Sequence, residues 1–166
     1  MIRTPRAGAD LVLRLALVVV LVAALAATGV FGARVLEARS DDARRDAVLS
    51  AARQIAVNFT TLDYRTFDED VHLVFDGATG SFRDEFAAGV EQTKEVVTSN
   101  EAVSTGEVSQ AALVSADDDS ARVLLVVDTE VTNTATPGPT PRHYRVQLDL
   151  TRVADSWLAS DLQFVG

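Results

Sequence analysis

Few side chains in this chain are equipped for chemistry. It has no cysteine, which excludes thiol catalysis and any disulfide. It has two histidines, His72 and His143. They stand far apart and lack cysteine company, so they make a poor zinc set. As a general base, either needs a carboxylate at a spacing that makes a dyad. His72 falls on a helix among Asp68, Phe75 and Asp76, and His143 opens a strand beside a proline-rich loop. Neither shows such a partner, and both read as surface residues. The run Asp117-Asp118-Asp119 lacks the spaced oxygen ligands and the glutamate of a calcium loop, so it reads as a solvated hairpin turn. No cofactor or metal set emerges. The segment Asp63-Tyr64-Arg65 is the remaining polar cluster. Asp63 and Asp70 suit helix caps or partners for Arg65 and Arg83, and Tyr64 suits packing on a sheet with its hydroxyl bonded. That favours a structural role over ligand contact. Trp157 reads as core at the last hairpin.

The elements that would position these residues follow from periodicity. Val35 to Leu62 reads as one helix with two regimes. Residues 37–46 are charged or small and suit a solvated stalk. Val48, Ala52, Ile55, Phe59 and Leu62 then recur at helical spacing, which buries one face. The sequon Asn58-Phe59-Thr60 lies inside that helix and is a chance match. Thr66 and Glu69 spell a capping box for a short helix from Phe67 to about Phe75, ended by Gly77 and Gly80. Ser81 and Asp84 suggest a second cap, and Phe82, Phe86, Val90, Thr93 and Val97 continue a helix to about Val97. From Ala102 the period becomes two. Four strands are expected, at about Ser104–Ser115, Ala121–Thr134, His143–Val153 and Trp157–Val165. The residues between 134 and 142 include Pro137, Pro139 and Pro141 and form a loop. Helices first and a strand meander after them give an α+β layout, an antiparallel sheet with one face covered.

Leu15 to Ala33 holds 19 residues without a charge, bracketed by Arg14 and Arg34. At 1.5 Å per residue it spans about 28 Å, the depth of a bilayer core. The expected organisation is a cytoplasmic tail at 1–14, a transmembrane helix at 15–33, a charged helical stalk at 34–46 and an extracytoplasmic domain at 47–166. The short, arginine-bearing tail favours a cytoplasmic N-terminus. The alternative is a signal peptide cleaved near Ala24-Leu25-Ala26, but the apolar run exceeds a signal core of roughly 7–15 residues. The formal net charge is −9, and every acidic residue except Asp10 lies after the hydrophobic segment. Such a domain is repelled by phosphates, so nucleic acid is not an expected partner.

Two motifs carry a family resemblance. Leu62-Asp63-Tyr64-Arg65-Thr66-Phe67-Asp68-Glu69-Asp70 is followed by Thr79-Gly80-Ser81-Phe82-Arg83-Asp84, and the chain ends on Trp157-Leu158-Ala159-Ser160-Asp161-Leu162. With the apolar segment before them, these resemble the Mce-associated membrane proteins of actinobacterial lipid-transport systems. The resemblance implies an NTF2-like, or cystatin-like, external domain: a cone of about three helices on a four-stranded curved antiparallel sheet. It implies a non-enzymatic accessory subunit of a Mce-type lipid importer, with the bilayer and Mce or other envelope proteins as partners. NTF2-like relatives also include isomerases and cyclases, which place an acid or base inside the cone. A third reading is a tethered lipid- or sterol-binding module, its apolar pocket lined by Phe67, Phe75, Phe82, Phe86, Tyr144, Leu148 and Trp157. The same residues would equally fill a core.

Overall fold

The computed structural model describes residues 40–136 and 138–165. The expected tail, transmembrane helix and any cleavage site lie outside the described residues, as does the first part of the stalk. Among the described residues no helix is long and apolar enough to cross a membrane. One compact unit begins at Arg44.

The order of elements in that unit follows from the switch of hydrophobic period. Helix α1 covers 40–60, and Val48, Ala52, Ile55 and Ala56 bury its apolar stripe. Strand β1 is Leu62–Asp63, helix α2 is Phe67–Asp76 and helix α3 is Gly80–Ser99. Strands β2 (Val103–Ala116), β3 (Ser120–Thr132), β4 (Thr140–Val153) and β5 (Ser156–Phe164) then pair in sequence, each antiparallel to the last. The described residues are therefore α+β, with three helices and an antiparallel sheet of five strands rather than four. The added strand is β1. Its first residue, Leu62, sits at the end of the expected helix and Asp63 just beyond it, and they pair with Ser104 and Val103. Helix propensity favours continuing through Leu62, but the sheet edge offers main-chain partners that end the helix at Thr60.

Alternation along the strands sorts the two faces. Ala121, Val123, Leu125 and Val127 of β3 and Val146, Leu148 and Leu150 of β4 are buried on the inner face with Trp157 and Ala159 of β5. Arg122, Asp128, His143 and Asp149 stand on the outer face, and the β3–β4 register sets Arg122 opposite Asp149 and Asp128 opposite His143. Register shifts interrupt β2 at Val108/Gln110 and Leu113/Ser115, and such bulges bend a strand. Strand β3 ends at Thr132 and β4 begins at Thr140, three residues before the expected start. Between them Asn133 Oδ1 accepts from Ala135 N and Thr136 N at 3.0 and 2.8 Å, making an Asx turn.

Two glycines report opposite local demands. A Cβ on Gly106 would lie 1.9 Å from Thr60 Oγ1, so α1 and β2 approach here only because the residue has no side chain. A Cβ on Gly89, inside α3, would meet nothing within 4 Å. Gly106→Ala is expected to cost about 1–3 kcal/mol by overpacking. Gly89→Ala is expected to gain about 0.5–1 kcal/mol by removing helix-interior glycine entropy. Urea melts of both variants check the pair.

Candidate functional site

The two polar motifs fold the chain onto itself. In the first, Asp63 N donates to Asp70 Oδ2 at 2.9 Å, and Thr66 Oγ1 donates to the same oxygen at 3.2 Å. Arg65 N donates to Asp63 Oδ1 at 2.9 Å, and the Arg65 guanidinium grips both Asp63 oxygens. Tyr64 N donates to Ala102 O at 3.1 Å, and the Arg65 guanidinium lies 5.7 Å from the Tyr64 ring centre. The expected capping box is absent: the Thr66 side chain makes no cap bond, because Asp70 draws its hydroxyl away. Phe67, which follows, is buried.

The second motif joins α2 to α3. Its N-cap is Thr79, not Ser81, whose hydroxyl donates instead to Ser160 O at 3.2 Å. Thr79 N donates to Ala159 O at 2.7 Å, and Ala159 N donates to Gly77 O at 2.8 Å. Gly80 takes φ +55°, which L side chains rarely adopt. Phe82 is buried. Arg83 donates to Phe75 O and sits 4.9 Å from the Phe75 ring centre, so it closes the C-terminal end of α2. Trp157 lies in the core.

The proposed pocket residues divide into two groups. Leu148 is 0% exposed, and Phe67 and Trp157 are buried as well. The others belong to an aromatic chain. Phe75 and Phe86 meet edge-on at 5.3 Å, Phe86 and Phe82 at 6.3 Å, and Phe82 and Phe59 at 5.8 Å. Phe59 reaches Phe164 at 6.5 Å, and Phe164 meets Tyr144 edge-on at 5.5 Å. This chain ends in the open, where Phe164 is 59% exposed. There a groove of about 420 Å³ is lined by Val126, His143, Tyr144, Arg145, Phe164 and Val165.

His143 has a partner that residue spacing hides. Its Nδ1 lies 2.6 Å from Asp128 Oδ1 across the β3–β4 ladder, and the bond holds the Asp128 carboxyl below its ordinary value. The loop between the strands fixes that register, so counting residues could not reveal it. On the outer face His143 is exposed and Asp128 half-buried. His72 is exposed on α2. The acidic turn satisfies itself: Asp117 Oδ1 accepts from Asp119 N and Ser120 N, and Arg44 donates to Asp118. Among the described residues no three acidic or histidine side chains are grouped to hold a metal. Thr129 is the buried polar side chain among them, 4% exposed, with an unpartnered hydroxyl.

Relatives place these features. A family model described as uncharacterized protein Rv1363c/MT1408-like matches residues 9–166. The chain belongs to this family. Uncharacterized protein Rv1363c of Mycobacterium tuberculosis (strain ATCC 25618 / H37Rv) is 33% identical over 129 residues, covering 78% of this chain and 49% of the relative. The chain thus spans about half the length of the curated relative it matches. Among solved structures, the periplasmic domain of DotI superposes with a TM-score of 0.61 at 17% identity, covering 72% of this chain and 94% of that one. An IcmL-like type IV secretion system protein of Legionella pneumophila subsp. pneumophila strain Philadelphia 1 gives 0.61 at 15% identity, covering 73% and 91%. At these identities the likeness shows the fold alone, helices packed on an antiparallel sheet.

Two expectations follow. Asp63 is held at about 2, below its ordinary 3.8, by the Arg65 side-chain hydrogen bonds first and the Arg65 main-chain bond second. A carboxyl depressed on folding gives stability that is full above its unfolded value and is lost as pH falls through the folded one. Wild type should therefore lose stability between pH 3.8 and about 2, and Asp63→Asn should flatten that segment in melts against pH. Leu148→Ala should cost about 2–5 kcal/mol, as a core cavity does. Phe164→Ala, on the exposed end of the aromatic chain, should cost under about 1 kcal/mol by the same denaturation.

Proposed function

We propose that this chain is a non-enzymatic accessory subunit of an envelope complex, with its compact domain held outside the membrane by the apolar segment at 15–33. The observation that carries the reading is how the domain spends its side chains. The polar motif residues bond to the fold's own main chain, and the inner face is filled by Val123, Leu125, Val127, Val146, Leu148 and Leu150. The outer sheet face and the β4–β5 end are what remain for contact. The shared fold supports the reading, since periplasmic domains of secretion proteins use it.

The finer reading is an accessory subunit of a Mce-type lipid importer. It is supported by the two motifs and the apolar segment quoted above, with Mce proteins and the bilayer as partners. An isomerase or cyclase needs an acid or base buried in the cone. Among the described residues the buried polar side chain is Thr129, a hydroxyl. A lipid- or sterol-binding module needs space behind the helices, where Leu148 and Phe67 are sealed.

The test is crosslinking of the intact chain in its native membrane, with mass spectrometry of what is captured. Recovery of importer subunits is the expected result. A captured set without any importer subunit would contradict the finer reading, and a copurified lipid without protein would contradict the accessory role.

A further inference from the structure

The end of the sheet beyond β5 differs from the rest of its border. Strand β4 pairs with β5 from Val153 to Val146, and Val165 N donates to Arg145 O at 2.9 Å. From Thr140 to Tyr144, among the described residues, β4 pairs with β3 alone. Antiparallel strands turn the main-chain groups of alternate residues to opposite sides. Arg145 O faces the β5 side, so the His143 N–H and C=O face it too. Val165 already takes Arg145 O, and Pro141, which turns the same way, has no N–H to offer, which confines the open slot to about residues 142–144, with Arg145 at its margin.

Three features qualify this short edge as a docking site. The 420 Å³ groove runs along it, within the size range of ligand pockets, and presents the Tyr144 and Phe164 rings. Three of the four residues from Arg142 to Arg145 are basic in a chain of net charge −9. Among the described residues Arg142 and Arg145 make no ion pair, while His143 is bonded to Asp128. Glu130 on β3 and Glu107 on β2 lie one and two strands inward, and Asp128 on β3 is the carboxylate that His143 already holds.

The occupant follows from those features. A second copy paired edge to edge would set its own Arg142, His143 and Arg145 against these, and like charges across strands repel. An inorganic anion would use the charges and leave the main-chain groups unfilled. We infer that the slot takes an extended segment of a partner protein, added as a strand beside β4. An acidic side chain lies opposite His143 and next to Arg145. Apolar side chains before and after it meet the Tyr144 and Phe164 rings. Main-chain bonds supply affinity and the alternating side chains supply specificity. The inference rests on the protein-contact reading and not on the importer.

The probe is a labelled Val-Glu-Val-Glu-Val peptide added to the purified full-length chain, with a Val-Lys-Val-Lys-Val control. The glutamate peptide should bind at least tenfold more tightly than the lysine peptide. N-methylation of both glutamate amides should weaken it tenfold or more, and the peptide should slow hydrogen exchange at the His143 amide. Arg145→Glu should reverse the charge preference; if that variant does not fold, Arg145→Gln should erase it. Equal binding of the two peptides, binding of neither, or an unchanged His143 amide would overturn the inference. So would slowing of that amide by raised protein concentration alone, which would assign the edge to a second copy. Peptide binding alongside a crosslinked set free of importer subunits keeps the edge and removes the importer. The opposite pair of results removes the edge and keeps the importer.

Discussion

A sheet that meanders through consecutive strands has two borders and one face that must be covered, and the helices here are fastened at both borders by main-chain bonds. At one border the chain leaving α1 becomes β1 and pairs with the start of β2. At the other, Gly77 and Thr79 exchange bonds with Ala159 of β5. These two fastenings set how α1 and α2 lie across the inner face, and the apolar stripe of α1 then closes over β3 and β4. Without them the helices would rest on dispersion and burial alone, which are not directional. The two sequence motifs are the chemistry of these fastenings. Asp63, Arg65 and Asp70 fold the α1–α2 connection, and Gly80 and Arg83 fold the α2–α3 connection.

Most of this was legible in the sequence. Burial writes its period into the residues, so Val48, Ala52 and Ile55 announced α1 and the alternation from Ala121 to Val127 announced β3. The Asp63 and Arg83 motifs carry side chains of the kind that helix ends demand, and they bond beside the ends of α2. What stayed hidden depends on pairing. Two residues cannot display a period, so β1 read as the end of a helix. Thr66 and Ser81 satisfied a capping pattern, yet the Thr66 hydroxyl bonds to the Asp70 side chain and the Ser81 hydroxyl to Ser160 O of β5. The Asp128–His143 pair depends on a register set through the loop between β3 and β4, where spacing carries no information.

Contact with partners falls to the exterior of the domain for the same reason. Residues that looked like pocket lining split between a closed core and an aromatic chain whose last ring is exposed. Burial holds Leu148 and Phe67 to packing, whereas Tyr144 and Phe164 meet solvent beside basic side chains. An acidic domain that concentrates basic residues at one border has a preferred direction of approach for a partner. Structural economy and charge thus point to the same end of the sheet.

The central claim is that the compact domain stands outside the membrane. The absence of native cysteine makes it directly measurable. A single Ser156→Cys variant, at the exposed first residue of β5, is treated in intact cells with a membrane-impermeant maleimide, and Thr4→Cys serves as the control. Labelling at position 156 without permeabilisation, and at position 4 only after it, is the predicted result. Labelling at position 156 only after permeabilisation would contradict the account.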